Sequence, residues 1–332
     1  MNFKPEKIFY EPAIQEYELG IKLLNKFKDS EWIPIASHNN IPELRQKANH
    51  EFTYLKRLLI VGTRKTHRYV ANEKVSDFLV PWTSSGCSAA CLYCYLVCNY
   101  NKCSYLRVFV NREKMMRKLI LQAQQNPNSV FEIGSNSDLI LENQITNNLP
   151  YTINNFCAKE KARITFPTKF SMVQDMLTLK HKGRVIVRMS VNPAIIINRV
   201  ELGTSSLPDR AEAINDLCEA GYRVGILLAP IILIDNWQQH YLELLDYLAD
   251  NLTNKVKKQV FFEIIFMTYS YVQNAINTEA FPNAYKIFNK QLMKGRGRGK
   301  YCYKAELKQS SAEFLTTEVN GRFGENKIIY IA

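Results

Sequence analysis

The chain has 332 residues, 46% of them hydrophobic and 22% charged. That balance excludes intrinsic disorder, collagen and low-complexity architectures, and it suffices for a large core without disulfide staples. The formal net charge of +12 says nothing of fold and favours a polyanionic partner such as nucleic acid or a membrane surface.

Residues 1–80 are mixed α/β and fairly charged, and read as a separate N-terminal lobe. Met1–Glu6 lacks the apolar core of a signal peptide. From Phe78 onward, short β-rich runs alternate with helical spacing. Phe78–Val80 leads into a Cys-rich stretch, Leu106–Val110 reads as a strand, Met115–Gln125 as a helix, Val130–Ile133 as a strand and Ile145–Ala158 as a helix. Ile164–Phe166, Val185–Val187, Val224–Leu228 and Val260–Ile264 continue the strands, separated by helical patterns at Met172–Leu179, Ala211–Cys218 and Trp237–Ala249. About six such βα units predict an α/β fold, a partial (β/α)6 barrel over residues 81–266, with functional groups at the C-terminal strand ends. Residues 267–332 contain Lys294-Gly295-Arg296-Gly297-Arg298-Gly299-Lys300-Tyr301-Cys302-Tyr303-Lys304, with five basic residues, three glycines and no acid. Tyr301 and Tyr303 alternate as in a strand, which predicts a basic β-hairpin. No apolar run reaches the roughly 18–20 residues of a membrane span, so no membrane partner and a cytoplasmic setting are expected. There, eight cysteines are ligands, reactive thiols or core fillers rather than a disulfide framework.

The strongest chemical signal is Gly86-Cys87-Ser88-Ala89-Ala90-Cys91-Leu92-Tyr93-Cys94-Tyr95-Leu96. Three cysteines at this spacing can wrap one face of a cubane, each thiolate binding one iron. The fourth iron is then open to a substrate or cofactor. Zinc would want four ligands, and Cys98 and Cys103 stand near enough to complete such a site, so zinc remains the alternative on spacing alone. Cys157 and Cys218 fall in helical patterns and read as core.

This spacing ahead of a partial barrel resembles the radical S-adenosylmethionine superfamily. The resemblance extends over nearly the whole chain to the spore photoproduct lyase family. Its landmarks are Tyr10-Glu11-Pro12, Ser37-His38-Asn39, Leu59-Ile60-Val61-Gly62, Cys91 to Leu96, Arg107 to Asn111, Thr168-Lys169, Ser190-Val191-Asn192, Gly203-Thr204-Ser205-Ser206 and Ala229-Pro230-Ile231, in that order. The resemblance implies a [4Fe-4S] cluster on Cys87, Cys91 and Cys94, with S-adenosylmethionine held by Ser137, Asp138, Lys169, Ser190, Asn192 and Ala229. It also implies a hydrogen-atom relay or a packing role for Tyr93 and Tyr95. An electron donor such as flavodoxin or ferredoxin is the implied partner. The implied reaction is reversal of a methylene-bridged thymine dimer in DNA through a 5′-deoxyadenosyl radical.

One departure stands out. The family's pattern Phe-Glu-x-x-Cys-x-Ser-Asp carries a hydrogen-donor cysteine, whereas this chain has Phe131-Glu132-Ile133-Gly134-Ser135-Asn136-Ser137-Asp138. An O–H bond is far stronger than S–H, so Ser135 cannot take over that donation. Cys302, in the segment that resembles the family's lesion-probing hairpin, is the first substitute donor and Cys98 the second. In the same segment Arg296, Arg298, Lys300 and Lys304 are expected on phosphates, and Tyr301 or Tyr303 stacked on or wedged beside bases. Chemistry on a base in a duplex requires its extrusion from the stack. A second basic cluster, Arg64-Lys65-Thr66-His67-Arg68, is expected to hold the backbone. Two other readings stand beside this one: a radical enzyme of the same fold with a different nucleic-acid or small substrate, and a non-catalytic DNA-binding protein with a structural metal.

Overall fold

The structure, a computed structural model, describes residues 3–99 and 105–332, and only the backbone of Cys98 and Asn99. Its main sheet has eight strands in the spatial order Ile328–Ile331, Phe261–Phe266, Arg223–Ile231, Val185–Val191, Arg163–Thr168, Val130–Glu132, Phe78–Leu79, Val70–Ala71. Every pairing is parallel except the last. The central strand Val185–Val191 is buried at every position, as a parallel strand covered on both faces must be. Helices Leu139–Thr146, Asn148–Lys159, Leu207–Glu219, Trp237–Asn251 and Ala305–Phe323 flank the sheet. Lys74, near one edge, lies 5.4 Å from the Tyr330 ring on the opposite edge strand. The sheet therefore curls into the expected partial barrel, its two edges facing each other.

A second sheet has the order Glu31–Pro34, Lys7–Tyr10, Leu58–Gly62, Leu106–Phe109, Ser84–Ser85. The strand expected from Leu106 thus exists but lies in this sheet and not in the barrel. Leu106, Val108 and Val110 share an apolar cluster with Ile8, Leu59 and Val61, which the barrel cannot offer them. The two sheets exchange strands across residue 80, and Ile328–Ile331 returns the C-terminal segment to the barrel. Two helical expectations are corrected. The helix expected over 145–158 is two helices broken at Asn147, which adopts φ +53°. At Met172–Leu179 only the single 3-10 turn Gln174–Met176 forms, and it buries Val173 and Met176 without a helix.

Next to the strand Lys7–Tyr10 of this second sheet, the buried Glu11 ties three segments together. Its Oε1 accepts from the His38 backbone N–H at 3.0 Å and lies 2.8 Å from His38 Nδ1, while Oε2 accepts from the Thr63 N–H at 2.9 Å. Burial alone would push this carboxyl up; the hydrogen bonds from His38 and Thr63 and the nearby imidazole outweigh it and hold it at about 2. A depressed carboxyl stabilises the fold above its ordinary value of 4.5, and that stability is lost as pH falls toward about 2. Glu11→Gln is expected to lower stability at neutral pH by about 1–3 kcal/mol. Urea titrations of both proteins should show the gap closing as pH falls through that window. A gap that does not change with pH would refute the assignment.

Candidate active site

The three cysteines sit on a loop that the fold holds from both sides. Gly86, at φ +80°, bridges to Ser137 and donates its N–H to Asn136 O at 2.8 Å. Ala90 and Cys91 pair antiparallel with Leu202 and Glu201, and Leu92 N–H donates to Val200 O at 2.9 Å. Lys56 Nζ donates to Cys87 O at 2.9 Å. Cys87, Cys91 and Cys94 all line one cavity of about 160 Å³, together with Ser135, Ser137 and Lys169. Burial pushes the Cys87 thiol up to about 12, with Lys56 opposing, and pushes Cys91 up as well. Such thiols become thiolates when iron binds them. Among the described residues no three His, Cys, Asp or Glu side chains converge on a single metal position. Three thiols distributed round one cavity fit a polynuclear cluster, whose irons are separate, better than a single ion. Cys103 lies outside the described residues, as does the side chain of Cys98.

On the barrel side of this cavity, strand ends present groups that the family resemblance implies around S-adenosylmethionine. Lys169 Nζ donates to Ser190 Oγ at 2.8 Å and to Ala229 O at 3.3 Å, and Ser190 Oγ donates to Ala229 O at 2.7 Å. Lys169 forms no ion pair among the described residues and lies 5.6 Å from the Tyr93 ring centre. Its ammonium is thus held by neutral oxygens at the cavity wall. Asp138 is differently employed. Its carboxylate caps helix Leu139–Thr146 through the N–H groups of Ile140 and Leu141, and accepts from Thr168 Oγ1 at 2.8 Å and from Lys169 N–H at 2.9 Å. It positions the loop around Ser135 and the start of the lysine's segment.

Asn192 also works within the protein. Its Nδ2 donates to Glu201 Oε1 at 2.8 Å, and its Oδ1 accepts from Tyr241 OH at 3.2 Å. Glu201 and Arg210, which sequence reasoning did not single out, are both fully buried and pair at 2.7 Å. Burial alone would raise the Glu201 carboxyl; the Arg210 charge, then Lys169, outweigh it and hold it low. Glu201 also accepts from Tyr93 OH, and Arg210 donates to Ser190 O at 2.9 Å and Thr204 Oγ1 at 2.7 Å. One buried ion pair thus aligns Tyr93, Ser190, Asn192 and the loop after Gly203. Burial next to Glu201 pushes the Tyr93 phenol well up, so it stays protonated.

Two larger cavities continue from the first. One, of about 470 Å³, occupies the barrel mouth and is lined by Tyr93, Tyr95, Ser135, Lys169 and Ala229. The other, of about 670 Å³, is lined by Tyr93, Cys94, Tyr95, Arg296, Arg298 and Lys300. Tyr93 and Tyr95 border all three, so thiols, barrel and basic segment share one cleft. Tyr95 is 57% exposed and donates its hydroxyl to Ser135 O. Cys302 pairs in register with Thr268, which lines both larger cavities, and so sits next to their common rim.

The basic segment is the expected hairpin. Met293–Gly297 and Lys300–Tyr303 pair antiparallel, with Thr268–Ser270 as the third strand. Arg298 and Gly299 form the two-residue turn at φ +51° and +66°, the positive values that such tight hairpins require. The aromatic assignment is corrected at Tyr303. Tyr303 is 3% exposed, and its hydroxyl accepts from Leu233 N–H at 2.9 Å. Tyr301 packs edge-on against Phe288 at 4.8 Å. The two rings alternate along one strand; Tyr303 is enclosed by the fold, and Tyr301 stays half-buried. The exposed ring there is Tyr271, 60% exposed, pressed so closely on the turn that a Cβ at Gly299 would lie 2.1 Å from it. In the second basic cluster, Lys65 and Arg68 are exposed. Arg64 turns inward, donating to Trp82 O at 2.8 Å and lying 4.0 Å from the Phe109 ring centre.

A family model described as spore photoproduct lyase matches residues 3–332. The spore photoproduct lyase of Bacillus subtilis (strain 168) is 28% identical over 99% of this chain and 98% of its own length. Among solved structures, a spore photoproduct lyase double mutant with bound AdoMet and dinucleoside spore photoproduct superposes with a TM-score of 0.92 at 26% identity, covering 100% of both chains. A spore photoproduct lyase complexed with dinucleoside spore photoproduct gives a TM-score of 0.90, also at 26% identity and 100% coverage of both.

Proposed function

The chain belongs to the spore photoproduct lyase family, and from that premise we propose that it is a radical S-adenosylmethionine enzyme that binds DNA and restores two thymines from the methylene-bridged thymine dimer. The observation that carries this reading is the single cleft in which the three thiols, Lys169 and the basic hairpin meet around Tyr93 and Tyr95. A [4Fe-4S] cluster and S-adenosylmethionine, when bound, supply an electron and a 5′-deoxyadenosyl radical that removes a hydrogen atom from the lesion.

The chain's own residues do the rest. Cys87, Cys91 and Cys94, which line one cavity, would hold the cluster. Lys169, with Ser190 and Ala229 as its hydrogen-bonding neighbours, would hold the cofactor, the ammonium supplying a partner for its carboxylate. Ser137 lines the same cavity as the thiols. Asp138, Asn192, Glu201 and Arg210 orient these groups through bonds within the protein. Tyr93 and Tyr95 line the junction of the three cavities, where cofactor and lesion would meet. Arg296, Arg298 and Lys300 hold phosphates, and Tyr271 fills the gap left by an extruded dinucleotide.

Replacing Arg296, Arg298 and Lys300 together by alanine is expected to weaken DNA binding and to reduce its salt slope by about one unit for each phosphate no longer neutralised. Tyr271→Ala should weaken binding by about 1–3 kcal/mol, the worth of a stacked base, with an unchanged salt slope. Fluorescence anisotropy over a salt series measures both. An affinity unaltered in the triple variant would remove the hairpin from the interface. The catalytic reading is tested by 5′-deoxyadenosine formation, which a lesion-bearing oligonucleotide should stimulate and an undamaged one should not.

A further inference from the structure

A groove of about 490 Å³ opens on another face of the molecule, lined by Arg199, Leu202, Phe281, Asn283 and Tyr285 among others. It shares no lining residue with the three cavities of the cleft. Its floor lies directly behind the cysteine loop. Leu202 pairs with Ala90, and its neighbour Glu201 with Cys91. Phe281 packs into the apolar cluster of Phe52, Val97 and Ile276, against which Cys94 also lies. Two of the three thiols are therefore one layer of residues from this surface. No Asp or Glu lines the groove. Arg199 is exposed, forms no ion pair among the described residues and lies 5.9 Å from the Tyr285 ring centre. Lys286, the next residue, is exposed too.

We propose that this groove is the docking site of an acidic one-electron carrier protein that reduces the cluster; the proposal rests on the reading of Cys87, Cys91 and Cys94 as cluster ligands. A cluster whose other side faces a cleft filled by cofactor and DNA must receive its electron from elsewhere. The groove lies behind the cysteine loop and shares no lining residue with that cleft. Helix Tyr271–Ala280 separates the two surfaces: Ser270 and Gln273 at its start border the hairpin cavity, and Phe281 at its end lines the groove. Ten helical residues span about 15 Å, so the groove and the hairpin cavity are separate surfaces. The transfer balances simply. The carrier's reduced centre loses one electron, the cluster gains one, and no atom moves. The apolar floor and cationic rim suit a partner with an apolar patch ringed by carboxylates.

The test uses reduced flavodoxin as the probe and the reconstituted full chain. Arg199→Glu should raise the dissociation constant for flavodoxin about tenfold or more, measured by titration calorimetry at low salt. It should lower the ratio of flavodoxin-driven to dithionite-driven 5′-deoxyadenosine formation by a similar factor. Asn283→Asp, which adds a charge without removing the arginine, should give a smaller shift in the same direction. Affinity and ratio equal to wild type in both variants would overturn the proposal. So would a loss of DNA affinity in Arg199→Glu with flavodoxin binding intact, which would give the groove to nucleic acid. Failure of the wild-type protein with dithionite would count against the radical chemistry, while the calorimetric shift would still decide the docking surface.

Discussion

Alanine in place of Cys87, Cys91 or Cys94, one at a time, is expected to eliminate the iron–sulfur absorption of the reconstituted protein and, with it, all 5′-deoxyadenosine formation. All three thiols line one small cavity, and the one other ligand-type side chain among its described lining residues, Asp138, is engaged by Thr168 and by backbone N–H groups. Circular dichroism should show the fold intact, because the loop is also tied by the Gly86–Ser137 bridge, the pairing of Ala90 and Cys91 with Leu202 and Glu201, and the Lys56 hydrogen bond to Cys87 O. Cys98→Ala and Cys103→Ala should retain iron and activity. Iron loss in either of those two, or zinc in place of iron in the purified protein, would contradict the three-ligand cluster.

Ser135→Cys is expected to raise the fraction of product recovered as intact thymines while leaving lesion binding unchanged. Ser135 lines both the cofactor cavity and the barrel mouth, so a thiol there would face cofactor and lesion together. Its present hydroxyl cannot donate a hydrogen atom usefully to a carbon radical, because the O–H bond is too strong. The donor in the natural chain is then another group. Cys302 next to the rim and the phenol of Tyr95, whose hydroxyl reaches Ser135 O, are the placed alternatives. Cys302→Ala and Tyr95→Phe should increase trapped by-products, as read by mass spectrometry. Clean repair by every one of these variants would end the substitute-donor account.

Much of the barrel was legible because β-branched and aromatic runs such as Val185–Val191 carry their strand signal locally. Which sheet a strand joins is not a local property. Leu106–Phe109 has the same pattern as the barrel strands, and only its apolar partners Ile8, Leu59 and Val61 decide its place. The cysteine spacing was legible for its chemistry, and Lys169 only through the family resemblance. Glu201 and Arg210 were not, since a charged pair nine residues apart reads as solvated surface until the fold buries it. Tyr301 and Tyr303 had the alternation of a strand, but alternation does not say which face is inward. Tyr271 follows the helix cap Ser270, whose Oγ accepts from Gln273 N–H at 3.1 Å. That Ser-x-x-Gln signature marks a helix start and could have placed an exposed ring beside the hairpin.

The most direct measurement is single-turnover repair under anaerobic conditions. Reconstituted protein, S-adenosylmethionine and dithionite are mixed with an oligonucleotide carrying one methylene-bridged thymine dimer, and the products are digested and weighed by mass spectrometry. The account predicts loss of the dimer, appearance of two thymidines and formation of 5′-deoxyadenosine, all absent in Cys91→Ala. Formation of 5′-deoxyadenosine with the dimer left whole would contradict it.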